Sequence, residues 1–312
     1  MRVVSLLPSA TEIVFAIGAE ASLVGVTHEC DFPPTAAQIP PLTRSHIPAG
    51  IPSAQIDAAV SASLNSLGSL YELDFQRLEA LKPDLILTQH LCDVCAVSFD
   101  RVEDAVSKLP WGPQVLNLEP HSLADVLGTI QTVGGALGRG EPAQKVVASL
   151  RARIEAVRER SAGATRRPRV LCLEWVDPPF CAGHWIPELI EIAGGRCDLG
   201  NLHRPSTRLE WSRVVESAPE VIVLTCCGYT LERCAADGEV LARFPGAQDL
   251  PAVREGRVYA TDGSAYFSRP GPRLVESLEI LAHIVHPQLF PAPRLERAFS
   301  RLDLARSVSS PS

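Results

Sequence analysis

The chain reads as an α/β protein built of two Rossmann-like lobes with parallel sheets, joined by one long interlobe helix. Three observations predict this. The first is an amphipathic run from Glu141 to Ser161, in which Val147, Leu150, Ile154 and Val157 recur at three- and four-residue spacing. Arg151, Arg153, Glu155, Arg158, Glu159 and Arg160 lie between them, Pro142 suits a first helical turn, and Gly163 closes the run. About twenty residues at ~1.5 Å each make a rod roughly 30 Å long, enough to cross from one lobe to another.

The second observation is that the flanks of this helix look alike. Arg2-Val3-Val4-Ser5-Leu6-Leu7-Pro8 and Arg169-Val170-Leu171-Cys172-Leu173-Glu174-Trp175 are both short apolar runs leading into a loop. Leu78 to Leu87 reads as a helix end, a Pro turn and a buried strand, and Val214 to Leu224 repeats the pattern. The third is length: 312 residues suit two lobes better than one core. The expected division is an N-terminal lobe over 1–138, the bridging helix over 139–163, a C-terminal lobe over 164–290 and a flexible, polar tail over 291–312.

In order, the spacing predicts a strand at 2–8 and then a helix with Ser9 or Thr11 as its N-cap, ending at Gly18. A strand follows over Leu23–Thr27, then a Pro- and Gly-rich wandering connection over 38–53 and a helix over Ile56–Leu67. Phe75–Leu81 reads as helix, Leu85–Thr88 and Val115–Leu118 as strands, and Leu123–Leu137 as helix. The second half offers strands at 169–175, 221–224 and 257–260, with helices at Pro187–Ala193 and Arg273–Val285.

Composition narrows the function. A net charge of −7 leaves no basic stripe for nucleic acid, and no apolar run approaches the ~20 residues that span a bilayer. Met1-Arg2 runs straight into the first strand, and nine cysteines fit a reducing compartment, so a cytoplasmic location is expected. The motifs of serine hydrolases, P-loop enzymes and zinc proteases are absent. The expectation is a non-catalytic protein.

In an open parallel sheet, ligands bind beyond the carboxyl ends of the strands. The chain has only four Trp and four Tyr, yet Trp175, Trp185, Tyr229 and Tyr266 all fall in such loops. They point to a flat, partly apolar ligand. Arg44, Arg269 and Arg273 either meet ligand carboxylates or amides or are solvated, and His184 is a base or a ligand contact. Cys92 and Cys95 form a C-x2-C pair, and strand ends bring His28/Cys30 and Cys226/Cys227 toward the same edge. That set suits Zn2+ or an iron–sulfur centre, but equally packing, or the thiol-redox chemistry of a CxxC protein. Cys172, Cys181, Cys197 and Cys234 read as small buried hydrophobes.

Several ordered motifs carry a family resemblance: Val3 to Glu12, Leu23-Val24-Gly25-Val26 with Asp31-Phe32-Pro33-Pro34, Leu78 to Leu87, Pro178-Pro179-Phe180 with Gly183, Gly194-Gly195, and Ala218 to Val223. They resemble the helical-backbone (class III) substrate-binding proteins for cobalamin and ferric siderophores of ABC import systems, including a signal-less branch with similar cysteine loops. The resemblance covers roughly residues 2–286. It implies a corrinoid or related macrocyclic metal-chelate ligand in an interlobe cleft and an ABC permease or cofactor-handling protein as partner. The candidate ligand-binding residues are Glu29, Cys30, Arg44, Tyr71, Gln89, Cys92, Cys95, Trp175, His184, Trp185, Tyr229, Tyr266, Phe267 and Arg269.

Overall fold

The computed structural model describes residues 1–48, 50–51, 55–56, 58–60, 62–63, 69–90, 97, 99–295 and 297–304. The chain divides into two compact units. Unit 1 comprises Met1–Pro120 with Ala124–Ala148, and unit 2 comprises His121–Leu123 with Ser149–Ser312.

Unit 1 contains β1 (Val3–Ser5), β2 (Leu23–Gly25), β3 (Thr43–Ser45), β4 (Tyr71–Leu73), β5 (Leu85–Thr88) and β6 (Gln114–Asn117). A four-stranded sheet runs in the order β2-β1-β5-β6, all neighbours parallel. The central strand β5 is buried at all four residues, as a strand covered on both faces must be. Its helices are α1 (Pro8–Ala16), α2 (Phe75–Leu81), α3 (Phe99–Ser107) and α4 (Leu123–Ala136). Val4, Leu6, Leu42, Leu78, Ile86, Val102 and Leu109 form one apolar core on one side of this sheet.

The long helix is α5 (Gly140–Ala162), 23 residues, close to its expected bounds. Val147, Leu150, Ile154 and Val157 are all buried, as their spacing predicts. On its outer side Arg153 donates two hydrogen bonds, 2.9 and 2.8 Å, to the Glu279 carboxylate.

Unit 2 contains β7 (Val170–Trp175), β8 (Phe180–Cys181), β9 (Val221–Leu224), β10 (Val258–Thr261) and β11 (Phe299–Leu302), in the order β11-β10-β9-β7-β8. The inner strands β10, β9 and β7 are parallel, and the edge strands β8 and β11 are antiparallel. The helices used below are α6 (Ile186–Ile192), α7 (Trp211–Ser217), α8 (Leu231–Gly238) and α9 (Leu274–Val285).

The two units repeat one device. Helices α2 and α7 each stop on a left-handed residue, Lys82 at φ 45° and Ala218 at φ 44°. A proline and an acidic residue follow, then a buried strand. In unit 1 the Arg2 N–H donates to the Asp84 carboxylate and Arg2 Nε donates to Leu81 O at 2.7 Å. In unit 2 the Arg169 N–H donates to Glu220 at 3.0 Å and Arg169 Nε to Ala218 O at 2.9 Å.

Several expectations need correction. Neither Ser9 nor Thr11 caps α1: the helix starts at Pro8, whose missing N–H suits a first turn, with Leu7 in the cap position. Thr11 is inside the helix, where its hydroxyl donates to Ser5 Oγ at 2.9 Å. The connection over 38–53 contains β3, which pairs antiparallel with β4. The expected flexible tail includes β11, which covers the β10 edge with four paired residues, Phe299–Leu302 against Val258–Thr261. The helix expected over Ile56–Leu67 lies partly outside the described residues; 55–56, 58–60 and 62–63 are helical.

The clasp in unit 2 can be tested. Burial alone would raise the Glu220 carboxyl, but the Arg169 N–H and the Arg169 and Arg166 guanidiniums outweigh it and hold the group below the usual carboxylate range. Glu220→Ala leaves the Arg169 N–H without its acceptor. It is expected to cost on the order of 1–3 kcal/mol in urea unfolding. Glu239→Ala, on an exposed residue, should stay within about 0.5 kcal/mol of wild type. Equal stability of the two variants would show that the clasp contributes nothing.

Candidate functional site

In unit 1 the loop leaving β2 carries His28, Glu29 and Cys30, and the β3–β4 pair brings partners to it. The His28 N–H donates to Thr43 Oγ1 at 3.2 Å, and His28 Nδ1 lies 2.7 Å from the same oxygen. The Tyr71 hydroxyl donates to Glu29 Oε1 at 3.4 Å, and the His28 and Tyr71 rings are 5.7 Å apart. The structure thus gathers His28, Glu29 and Tyr71. Arg44 sits on β3 opposite Glu72 and pairs with it at 2.6 Å, its side chain 75% exposed. An open depression of about 560 Å3 lies on this outer side, bordered by Leu42, Arg44, Glu72, Phe75 and Arg77. Its guanidiniums are already engaged, Arg44 by Glu72 and Arg77 by the Pro41 carbonyl at 2.7 Å.

Cys30 is buried beneath this cluster, its Sγ 3.1 Å from Thr11 Oγ1 and 3.4 Å from Thr27 Oγ1. The thiol is held by hydroxyls. Gln89 leaves the carboxyl end of β5 and is also buried, next to Thr88, whose hydroxyl has no hydrogen-bond partner among the described residues. Cys92 and Cys95 lie outside the described residues.

In unit 2 the aromatic candidates fall into two kinds. Trp175, at the end of β7, is partly exposed; its Nε1 donates to Asp177 O at 3.1 Å and its ring lies 4.9 Å from that of Tyr229. Tyr229 is buried below it, with the Arg233 guanidinium 4.2 Å over the ring and donating to the phenol oxygen at 3.2 Å. Tyr266 is partly exposed, with the Arg273 guanidinium 5.6 Å over its ring. Trp185 and Phe267 are buried, and Trp185 Nε1 donates to Phe267 O at 3.1 Å. Arg269 is buried too, 3.4 Å from Ser264 Oγ. Trp175 and Tyr266 are therefore the open aromatic faces, and Trp185, Tyr229 and Phe267 form the floor beneath their loops.

Four thiols of this unit, Cys172, Cys181, Cys226 and Cys234, are buried. Cys226 is buried, and hydrogen bonding to Cys234 together with burial holds its thiol protonated, far above the usual thiol range. A protonated thiol is a poor metal ligand. Cys227 is partly exposed, with its N–H on Glu174 O at 3.2 Å. Among the described residues no group of three or more His, Cys, Asp or Glu side chains is set to hold a metal ion. The zinc or iron–sulfur expectation therefore has no support from His28, Cys30, Cys226 or Cys227.

His184 occupies the loop between β8 and α6. Gly183 precedes it because Arg204 O would stand 2.7 Å from any Cβ there. His184 takes φ 51°, a left-handed conformation, and its backbone is pinned on both sides: His184 N donates to Arg204 O at 2.7 Å, and His203 N donates to His184 O at 2.9 Å. The ring stacks on Trp185 at 5.4 Å and lies 6.1 Å from the His121 ring. His184 Nδ1 is buried without a hydrogen-bond partner among the described residues. Burial, and then His121, lower its pKa. Nearby, Glu188 accepts a hydrogen bond from Leu123 N at 2.9 Å and lies 3.6 Å from His203 Nε2. The sequence reading missed His121, although Pro120-His121 follows directly on an expected strand and helix junction.

Comparison with known proteins agrees with this architecture. The family described as "Periplasmic binding protein" matches residues 3–265, and the chain belongs to it. An uncharacterized ABC transporter substrate-binding lipoprotein of Bacillus subtilis is 22% identical over 93% of this chain and 81% of its own length. The vitamin B12-binding protein of Vibrio cholerae is 23% identical over 89% and 86%. Among solved structures, the apo periplasmic heme-binding protein RhuT from Roseiflexus sp. RS-1 superposes with a TM-score of 0.70 at 24% identity, covering 92% of this chain and 98% of its own.

The His184 environment predicts a pH dependence. Its folded pKa lies below the unfolded value of about 6.5. The fold therefore favours the neutral ring, a contribution complete above that unfolded value and lost as pH falls through it toward the depressed folded one. His184→Asn keeps a residue that tolerates left-handed backbone and removes the titration. The fall in thermal midpoint between about pH 7 and pH 5 should be smaller in this variant than in wild type. An identical fall in both would assign the acid sensitivity elsewhere.

Proposed function

We propose that this member of the periplasmic binding protein family is a non-catalytic binding protein for a corrinoid, or a related metal-chelate macrocycle such as heme, which it hands to an ABC permease. The observation that carries the reading is the pairing of a family match over residues 3–265 with open aromatic faces at strand-end loops. Trp175 and Tyr266 present rings to solvent from the ends of β7 and β10, each backed by a cation or a second ring. That is how a site is prepared for a broad flat ligand without losing side-chain freedom on binding. Two of the proteins named above, of Vibrio cholerae and Roseiflexus, bind vitamin B12 and heme by their descriptions, which supports the same ligand class.

The thiol-redox and metal-centre alternative is not favoured, because the described cysteines are largely buried and held by neighbours. The expected cytoplasmic location finds no support among the relatives, described as a lipoprotein and as periplasmic proteins. No helix among the described residues is long and apolar enough to cross a membrane.

Calorimetry with cobalamin, cobinamide and heme tests the reading. At least one should bind tighter than roughly 100 μM, about −5.5 kcal/mol. Trp175→Ala should weaken that ligand about tenfold or more, through lost stacking area. Trp111→Ala, whose indole donates to Pro83 O within unit 1, should leave affinity unchanged. Failure of all three ligands to bind would end the macrocycle reading.

A further inference from the structure

We propose that two copies of this chain join through the outer edge of β6, antiparallel about a two-fold axis at Leu116, so that the sheet of unit 1 continues from one copy into the other. The surface lies within unit 1 and does not depend on the macrocycle reading.

The internal repeat points to this edge. In unit 1, β6 lies parallel to β5 on the side away from β1, and in unit 2, β10 lies parallel to β9 on the side away from β7. The two strands hold equivalent places. The outer edge of β10 is closed by β11, an antiparallel strand of four residues. No strand lies outside β6 among the described residues. Exposure agrees: Gln114 and Asn117 are exposed and Val115 and Leu116 half-buried, whereas three of the four β10 residues are buried.

The backbone hydrogen bonds decide which groups are on offer. Gln114 N donates to Asp84 O at 2.9 Å and Leu118 N to Thr88 O at 2.8 Å, so residues 114, 116 and 118 turn their backbone polar groups to β5. Those of Val115 and Asn117 turn outward, and neither has a partner among the described residues. An edge of this kind is a template for another strand.

This edge fits a second copy of itself. About a two-fold axis perpendicular to the sheet, Leu116 faces Leu116, Val115 faces Asn117 and Gln114 faces Leu118. Val115 and Asn117 then exchange N–H and C=O bonds across the copies, in two hydrogen-bonded pairs. The two Leu116 residues form the non-hydrogen-bonded pair between them, where Cα atoms stand about 4.5 Å apart. Pro113, without an N–H, faces Glu119 and ends the ladder. Charge permits the pairing. Residues 114 to 118 carry none, so no like charges meet along the ladder, and nothing on the strand selects an acidic or basic segment from elsewhere. Native edges are commonly guarded by a charged side chain, and this strand has none.

The contact is small, so a reversible dimer is expected, its fraction rising over roughly 10 to 500 μM. Sedimentation of the intact chain across that range is the first measurement. Asn117→Pro removes an outward N–H and no bond to β5, and should leave the chain folded and monomeric. Leu116→Cys treated with diamide should give a covalent dimer linked through position 116, located by peptide mass mapping. Gln114→Cys places its two thiols on residues more than about 10 Å apart, beyond the reach of a disulfide, and should give none. A chain monomeric throughout the range, no linkage at position 116, a dimer that persists in folded Asn117→Pro, or equal linkage at position 114 would each overturn the pairing. Linkage is a gain of signal, so it decides the matter even if the proline variant folds poorly.

Discussion

The arrangement depends on one clasp, made twice: an arginine at the entrance of the first strand gripping the end of a helix that stops in a left-handed turn. Arg2 reaches the Leu81 carbonyl and Arg169 the Ala218 carbonyl, each a terminal acceptor that a helix leaves without an internal partner. The acidic residue after the proline answers by accepting the arginine's own backbone N–H, Asp84 from Arg2 and Glu220 from Arg169. The reciprocal pair fixes where the second strand begins. Asp84 N and Leu85 N both donate to Arg2 O, as Glu220 N and Val221 N do to Arg169 O. From that point the parallel register runs without slip, Val3 against Leu85 and Val170 against Val221. A one-residue slip would turn the buried faces of β5 and β9 to the wrong side.

With the amino ends locked, the carboxyl ends are free to carry chemistry. The two units use that freedom differently. In unit 1 the strand ends deliver polar groups, His28 and Glu29 after β2 and Thr88 and Gln89 at the end of β5, and an added strand pair brings Thr43 to His28 and Tyr71 to Glu29. In unit 2 they deliver rings. Those rings are layered: Trp185 bonded to the Phe267 carbonyl and Tyr229 under the Arg233 cation make a rigid floor, and Trp175 and Tyr266 stay accessible above it. The sequence shows all these aromatics as equals. Which are floor and which are face is decided by burial after folding, since Trp175 also finds a backbone acceptor and Tyr266 a cation, and that is a tertiary fact.

The same distinction separates what could be read from what could not. The long helix, the repeated helix–Pro–acid–strand unit and the parallel strands β5, β7 and β9 were legible because their signals are local: period, a helix stop and a buried β-branched run. The β3 strand was missed because Thr43-Arg44-Ser45 has no apolar alternation, and its partner Tyr71 lies far along the chain. The tail strand Phe299-Ser300-Arg301-Leu302 was hidden by its polar surroundings, since an edge strand needs only one apolar face. His121 went unnoticed for a related reason. A lone histidine after a proline carries no pattern, and only the fold sets its ring beside that of His184.

The cysteines show how a compositional argument can fail on physical grounds. Nine thiols suggest a reducing compartment only if the thiols are reachable. Here Cys30, Cys172, Cys181, Cys226 and Cys234 are buried, and burial pushes the partly exposed Cys197 up to about 12. Oxidation and metal capture both begin from the thiolate. A thiol buried away from solvent is slow toward either, whatever the potential of its surroundings. Among the described residues the cysteine count therefore reports largely on packing: a small, soft side chain recurs where strand ends meet helices, as at Cys226 against Cys234. It carries no information about the compartment, and the argument for location has to rest on relatives and on direct fractionation.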